Sequence, residues 1–538
     1  MNNTLAFQPV FRPPLFETYG CKDYRNQREL FERIDQILEA GKLDQVFQEN
    51  CLVFYDKSIA YQNWLADQPQ VNRTETPEQF AEVYDWQPPY NPYSQTGNIK
   101  DSWLHQTRTA LRTNILRYVN QNTSLRMTSV ALADSSLARW FCHVGEFGPV
   151  KPPSKSTVDR YEDWIPEQGI RELVQNIIDQ ASSPDQNKIN SLGLSKPIPT
   201  DQIWLDGTCL KANIHFPVDW VLLKDICRTL MLATIVIRKR GLKNRMPQSP
   251  GKFMRDMNKL VIEMTQCRRR KDSKKLRKKV LRKMMKLEKR IAKHAQKHSE
   301  TLEQRWQETD LSQAQANLII TRIQGVIEQL PAALKQARER IIGERRVVSS
   351  EKILSIYEAD INVIVRGKSD AEVEFGNCLR IAEQRNGIIV DYHLYKKSVA
   401  DNSAQAFEDG LVRMCEATSN RMKTLWTDRG MDSAKNISAL ESRGIANGIC
   451  PKSVHKLQEK MKDRDYADGQ TRRSSTEARI GIFTNRMLGG LLRTKGFRSR
   501  KQSVGWAVLS HNLWVIARID KNVGTEKEEV EPPDRKAA

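Results

Sequence analysis

The chain has 538 residues, which is enough for roughly two to four domains that each bury a core. Its 86 lysines and arginines outnumber 65 aspartates and glutamates, and a formal net charge of +21 indicates a polyanionic partner, either nucleic acid or an acidic membrane surface. No run of about 18 apolar residues and no secretory signal pattern occurs, so we expect an intracellular protein that does not enter the membrane. The nine cysteines form no CxxC pair, which argues against a zinc knuckle or a disulfide framework.

Helical periodicity dominates residues 1–181, which we interpret as an all-α N-terminal DNA-binding domain. Within it, a helix over 125–142 is followed by a turn rich in Gly and Pro, and then by a second helix capped by Ser154. This arrangement over about 125–165 is typical of a helix-turn-helix, whose second helix would present Lys155, Thr157 and Arg160 to the major groove. Because the turn is longer than usual, a plain helical hairpin is the alternative. The stretch 182–200, rich in Ser, Pro and Asn, is predicted to be a linker.

The segment Ile203 to Trp220, IWLDGTCLKANIHFPVDW, lies in residues 201–240, which we interpret as the first part of a second domain that resumes at 351–522 after an insertion. Its first residues predict a strand, and Asp206 stands in the middle of that strand, where a carboxylate is unfavourable unless something compensates its charge. A functional site is one interpretation, and a structural turn acid is the other. A long apolar helix is predicted from Trp220 to Ile237.

Residues 241–350 are predicted to form a long basic helical insertion. The segment 268–290 holds fourteen basic and two acidic residues, while apolar residues recur at alternating spacings of four and three, as in an antiparallel helical hairpin. Dense positive charge predicts that one arm lies along duplex phosphates, although a solvated charged face or a protein contact would also explain it. The residues predicted to face DNA are Lys274, Lys275, Arg277, Lys278, Arg282 and Lys283.

Strands and helices alternate over 351–522, which predicts an α/β layer with a mixed sheet, and a disordered charged tail over 523–538 is expected to follow. A short strand ends in Asp428, and Glu477 lies at the border of a helix face that packs on the sheet. Together with Asp206, these acids could hold two Mg²⁺ or Mn²⁺ ions for phosphoryl transfer. For Glu477 alone, a capping box with Ser474 is the structural alternative.

Four segments in this order resemble the DDE transposases of bacterial insertion sequences. They are the DGT strand at Asp206, the segment with RGK and VEFGN, the TDRGMDS segment at Asp428, and RRSSTEARIGIFTNR around Glu477. The resemblance implies an RNase H-like catalytic domain, metal ligation by Asp206, Asp428 and Glu477, and contact with DNA by Arg473, which matches an Arg four residues before the Glu in one branch of the family. The chain differs from that branch at Gln470, where the branch has Tyr, and at Thr484, where it has Lys.

The function implied by the resemblance is transposition. The protein would bind the terminal inverted repeats of its own element as a homodimer, cleave DNA with two Mg²⁺ or Mn²⁺ ions, and join the freed ends to a target. Its location would be the bacterial cytoplasm, in association with the nucleoid. Two alternatives remain open, namely a non-transposing RNase H-like nuclease and a catalytically inactive DNA-binding relative.

Overall fold

A computed structural model describes residues 21–67, 76–90, 97–145, 150–183, 192–267, 270–365 and 373–519. The predicted tail over 523–538 lies outside these ranges, as do Arg268, Arg269 and the RGK segment at 366–368. In the described ranges the protein consists of one mixed sheet, a helical layer on both sides of it, and a separate helical bundle. The predicted α/β class with a mixed sheet is therefore confirmed.

Helices fill the described part of the N-terminal third. They are α1 (Lys22–Ala40), α2 (Leu43–Asp67), α3 (Gly97–Val119), α4 (Leu125–Asp134), α5 (Ser136–Cys142), α6 (Lys155–Glu162) and α7 (Glu167–Ser182). The single helix predicted over 125–142 is two helices, because Ser135 adopts extended backbone and its side chain caps α5 by accepting from the Ala138 amide. The predicted helix-turn-helix region thus contains three helices, α4 to α6.

The sheet has six strands within the described residues: β1 (Gln202–Lys211), β2 (Asn362–Val365), β3 (Val373–Gln384), β4 (Ile389–Leu394), β5 (Thr424–Thr427) and β6 (Ala446–Ile449). Their order is β2-β3-β1-β5-β6, with β4 beside β2 on the same edge of β3. Strands β2, β1 and β4 run antiparallel to β3, whereas β5 runs parallel to both β1 and β6. The predicted hairpin turn at Asn386-Gly387 joins β3 to β4, and the positive φ of Gly387 explains the glycine there.

Four long helices between β1 and β2 form the bundle: α8 (Asp219–Lys239), α9 (Pro250–Gln266), α10 (Ser273–Arg305) and α11 (Gln313–Ala337). The hairpin predicted from two apolar seams is formed by α10 and α11, whose seam residues Met284, Ile291 and Ile323 are buried. Helix α8 packs into this bundle, where Asp219 accepts hydrogen bonds from Gln336 and Arg340 of the α11 region. The bundle therefore has its own core, distinct from that of the sheet.

The remaining helices pack around the sheet. They are α12 (Ala404–Ala417), α13 (Ala434–Glu441), α14 (Val454–Lys460), α15 (Arg464–Ile482) and α16 (Phe497–Ile519). Helix α16 is buried along its length and lies between the N-terminal helices and β4. One hydrophobic core consequently joins α1, α3 and α7 to the sheet through α16.

Candidate active site

Two aspartates become neighbours where β5 ends. Leu205 of β1 pairs in parallel register with Thr427, the last residue of β5. Asp206 follows Leu205 and Asp428 follows Thr427, so the two aspartates are neighbours. Both side chains face the same side of the sheet as Trp204 and Trp426, because side chains alternate along strands. The Oδ1 atom of Asp206 accepts a hydrogen bond of 2.7 Å from the Gly207 amide. The sequence prediction placed these two acids on separate strands, and the register puts them side by side.

A third aspartate, Asp401, lies beside Asp428. It belongs to the loop between β4 and α12, and the buried side chain of Arg380 holds that loop by donating to the carbonyls of Ala400 and Asp401 at 3.1 and 3.0 Å. The loop approaches so closely that a Cβ atom on Gly430 would lie 3.1 Å from Asp401 Oδ2 and 3.2 Å from Asp428 Oδ1. Glycine at this position thus allows the two carboxylates to share one small space.

Helix α15 carries Arg473 and Glu477 past these aspartates. It begins at Arg464 with Asp463 as its cap, so Glu477 lies in the middle of the helix and the capping-box interpretation is wrong. Arg473 Nη1 donates to Glu477 Oε1 at 3.0 Å, and the Glu477 side chain is 60% exposed. This ion pair contributes little to stability, about 0 to 1 kcal/mol, because it is largely solvated. Glu477 is therefore the most solvent-exposed of the three predicted metal ligands, Asp206, Asp428 and Glu477.

Close packing fixes α15 on the sheet. A Cβ atom on Gly469 would lie 2.3 Å from the Trp426 ring, so only glycine permits this approach. The Trp204 indole donates to the Gly469 carbonyl at 2.9 Å, and Gln470 donates to the Gly448 carbonyl of β6 at 2.6 Å. Gln470, which stands where one family branch has Tyr, consequently joins α15 to the sheet.

A buried glutamate on β3 anchors the same helix. Glu383 Oε1 accepts from both Nη atoms of Arg472 at 3.0 Å and from the Thr476 hydroxyl at 2.8 Å. Arg479 Nε lies 3.6 Å from Glu383 Oε2. These partners come from successive turns of α15 on either side of Glu477. The network therefore fixes the rotation of the helix about its axis, and with it the direction of Glu477.

Burial and like charge raise the pKa of the central aspartates. The pKa of Asp206 rises from 3.8 to about 6, first because burial removes its hydration and then because Asp428 and Glu477 lie nearby, while the Gly207 amide and Arg473 oppose the rise. The pKa of Asp428 is also raised, chiefly by burial and by Asp401, and Arg473 again opposes the shift. Arg473 thus supplies positive charge to three acids at once.

The donor set suits a hard divalent cation, although the acids do not surround a single point. Among the described residues, no three Asp, Glu, His or Cys side chains are close enough together to hold one ion. Asp428 Oδ1 is nevertheless buried with no hydrogen-bond partner in the described part of the chain, and Asp206 lies beside it. A buried carboxylate oxygen without a donor is stabilised by a bound cation, and oxygen ligands favour Mg²⁺ or Mn²⁺.

The residues predicted to read DNA bases lie on α6. Lys155 and Arg160 are exposed, whereas Thr157 is half-buried and its hydroxyl lies 3.0 Å from that of Ser154 and 3.4 Å from Arg160 Nη2. Lys155 and Arg160 are thus accessible to a ligand. Thr157 is engaged within the first turn of its own helix.

The six predicted phosphate-binding residues of α10 divide into two sets. Arg277 is half-buried and lies 5.2 Å from the Trp220 ring, Lys274 and Lys278 pair with Glu344 at 3.0 and 2.8 Å, and Lys283 lies 3.6 Å from Glu263. Lys275 and Arg282 are exposed. They belong to a row of exposed cations, opposite the buried seam, at spacings of four and three residues. We call this row the basic stripe: Lys275, Lys279, Arg282, Lys286, Lys289 and Lys293.

Sequence reasoning missed Asp401, Glu383 and four of the six residues of the basic stripe, namely Lys279, Lys286, Lys289 and Lys293. The stripe could have been found, since its spacing of four and three is visible in the sequence once the seam is assigned. Asp401 and Glu383 carry no comparable signal, because each reaches the site through a loop or a strand register that only the fold defines.

No helix in the described part of the chain is both long and apolar enough to cross a membrane.

Comparison with known proteins agrees with this geometry. Residues 380–513 match the family model of the transposase DDE domain, and this match confirms the resemblance to DDE-type transposases. It contains Asp401, Asp428 and Glu477, while Asp206 lies outside it on a strand that pairs with the matched β3. None of the curated proteins and none of the solved structures matches the chain.

Proposed function

We propose that this chain, which carries a transposase DDE domain, is a metal-dependent transposase that acts on the ends of a bacterial insertion sequence. It would bind the terminal inverted repeats, cleave the DNA strand there, and join the freed end to target DNA. The observation that carries this proposal is the juxtaposition of Asp206 and Asp428 where β5 ends, with a buried carboxylate oxygen that lacks a hydrogen-bond donor in the described structure. This arrangement supports a cation site next to α15, whose Glu477 side chain is exposed.

Asp206 and Asp428 would hold the cation charge, and Glu477 would complete the ligand set from α15. When bound, two divalent ions activate water and stabilise the leaving oxygen in phosphodiester cleavage. Asp401 would add a fourth carboxylate, since it adjoins Asp428. Burial and, to a smaller extent, the repulsion between these carboxylates raise the pKa of both central aspartates, and bound cations would offset that repulsion.

Arg473 has two possible partners in this proposal. It pairs with Glu477 at 3.0 Å and also supplies positive charge to Asp206 and Asp428. If cations were bound by the acids, the Arg473 guanidinium would be available to a phosphate of the bound DNA, a ligand that arginine binds through two parallel hydrogen bonds. This role agrees with the DNA contact expected of Arg473 from the family resemblance.

DNA binding would use the surfaces predicted from the sequence. Lys155 and Arg160 on α6 are exposed and suit base contacts in a terminal repeat, and Thr157 would add one if it turned away from Ser154. The exposed cations of α10 suit the phosphate backbone. We further propose that two copies act together on two DNA ends in the bacterial cytoplasm.

The test is cleavage of a duplex that contains the element end, in Mg²⁺ and in Mn²⁺. Asp206→Asn, Asp428→Asn and Glu477→Gln should each abolish cleavage while leaving DNA affinity within a few-fold of the unaltered chain. Asp468→Asn, an exposed acid on α15, is the matched control and should cleave normally. Cleavage at the unaltered rate by the Asp206 or Asp428 variant would contradict the proposed site.

Joined products distinguish the proposed function from its alternatives. A transposase should yield DNA in which the cleaved end is covalently linked to target DNA. Cleavage without joining would identify a non-transposing nuclease, and binding without cleavage in either metal would identify an inactive relative.

A further inference from the structure

We propose that the cavity between α4, α6 and the segment before α16 is a binding site for the phosphate backbone of duplex DNA. This inference rests on the proposed DNA-binding function and extends it from the predicted recognition helix, which contributes Lys155, to Arg126, Arg493 and Lys495 outside that helix. The cavity has a volume of about 450 Å³ and is lined by side chains from three separate parts of the chain. Its exposed cations are Arg126 of α4, Lys155 of α6, and Arg493 and Lys495 of the segment before α16, and a fifth cation, Arg117 of α3, is buried.

The charges of this cavity are unbalanced in favour of an anion. None of the four exposed cations forms an ion pair with an acid in the described part of the chain. Two acids of the lining are already neutralised, because Glu162 pairs with Arg117 and Asp163 lies 3.0 Å from Arg498. Asp159 remains as one exposed carboxylate against four cations. A phosphodiester backbone, with its regular single negative charges, is the chemical class that this excess of cations would bind.

The segment that carries Arg493 and Lys495 is held in place along its length. Asn122 donates to the Leu488 carbonyl at 3.0 Å, Leu492 forms an isolated parallel bridge with Ala212, and the Gly496 amide donates to Glu358 at 3.0 Å. A fixed backbone reduces the entropy that is lost when its side chains bind a ligand. The two cations are thus presented on a preorganised support.

The same anchoring relates the cavity to the catalytic acids. Ala212 follows Asp206 by six residues along the β1 direction, a length of about 20 Å at the rise of an extended strand. About six base pairs of duplex span that length. DNA whose backbone lies in the cavity, against the start of α6, could therefore extend over the distance to Asp206, so the cavity would connect end recognition to cleavage.

The test is the salt dependence of DNA binding by the full chain, with a mixed-sequence duplex as the probe. Replacing both Arg493 and Lys495 with Gln should flatten the slope of log affinity against log salt by about 1.8, since each lost phosphate contact contributes about 0.9. The double variant Lys196→Gln with Lys435→Gln removes the same charge from two other exposed positions and should leave the slope unchanged. Circular dichroism of both variants confirms that they are folded.

Two results would overturn the proposal: an unchanged slope in the folded Arg493/Lys495 variant, or an equal flattening in the Lys196/Lys435 control. The proposed function is tested separately, by Mg²⁺-dependent cleavage with the unaltered chain. Absence of cleavage would count against the transposase. Cleavage together with an unchanged slope would count against the cavity alone.

Discussion

The buried position of Asp206 lowers the stability of the folded protein, and the same position suits its proposed role as a metal ligand. It is largely buried in a strand, next to a second carboxylate, and its pKa is raised to about 6. Because the pKa of Asp206 is higher in the folded than in the unfolded chain, the protonated side chain favours the folded state. This contribution to stability is fully present below about pH 4 and is lost as the pH rises through 6. At neutral pH the metal-free protein therefore keeps this carboxylate charged at a cost.

Asp206→Asn should stabilise the metal-free protein while abolishing cleavage. The shift from 3.8 to about 6 corresponds to at most about 3 kcal/mol, at about 1.36 kcal/mol per pKa unit. Urea unfolding in the presence of a chelator should show this gain above pH 7 and almost none at pH 4. Asp468→Asn is the control, and a gain that does not depend on pH would contradict the assignment.

Glu288 is a second buried carboxyl group that should lower the stability of the protein, and it lies inside the helical bundle. Its side chain is fully buried on α10 near the Cys227 backbone, and burial raises its pKa well above the usual value. We expect Glu288→Gln to raise the urea midpoint, more at pH 8 than at pH 5, because a carboxyl group with a raised folded-state pKa loses its contribution to stability as the pH rises above its unfolded pKa. The reverse order would show that the carboxylate is stabilised by a partner.

At the scale of elements, α15 depends on Glu383 for its position. Glu383→Gln leaves the partly exposed Arg472 and Arg479 without their counter-charge, so the variant should be less stable, by less than the about 3 to 5 kcal/mol that is typical of breaking a fully buried pair. If Glu383 sets the direction of Glu477, the variant should also need more Mg²⁺ for half-maximal cleavage. Glu408→Gln, which breaks the partly exposed pair with Arg443, is the control and should leave the Mg²⁺ requirement unchanged.

The basic stripe of α10 allows a more specific test of whether this helix binds duplex phosphates than the six residues predicted from the sequence. Replacing its six cations with Gln preserves helix propensity and leaves Arg277 on Trp220. The salt slope of DNA binding should fall by several units. Replacing Lys274, Lys278 and Lys283, which face Glu344 or Glu263, should have a smaller effect per charge. An unchanged slope for the stripe variant would favour a protein contact instead.

Local patterns predicted some elements well and others poorly. The β3–β4 hairpin and the α10–α11 seam follow from Gly387 and from the apolar spacing, both of which act over short distances. The break at Ser135 was missed, because a serine inside an apolar helical pattern is compatible with either outcome. Asp206 and Asp428 were found by their strand positions, whereas Asp401 was not, because its role depends on a long-range loop approach.

At the scale of the whole molecule, α16 packs between the N-terminal helices and the sheet and forms hydrogen bonds with both. Trp506 and Gln502 donate to the Glu162 carbonyl at the end of α6, at 3.0 and 2.8 Å. On the other side, Asn512 exchanges hydrogen bonds of 2.9 and 2.8 Å with the backbone of Ile389 in β4. Both groups of elements bury their apolar residues against this one helix.

Trp506→Ala should therefore destabilise both groups together. Removing a fully buried tryptophan costs about 3 to 5 kcal/mol, and its indole hydrogen bond to Glu162 is lost as well. Thermal unfolding followed by far-ultraviolet circular dichroism should shift to lower temperature as one transition for these helices and the sheet. Two separated transitions would show that the N-terminal helices fold independently of the sheet.

Because α16 connects the end of α6 to the sheet, the separation between the proposed recognition helix and Asp206 is fixed by packing. The enzyme would then choose its cleavage position by counting base pairs from the sequence it recognises. Inserting about five base pairs between that sequence and the element boundary turns the boundary phosphate by half a helical turn, to the far side of the duplex. Cleavage should stay at its original distance from the recognised sequence and no longer coincide with the boundary.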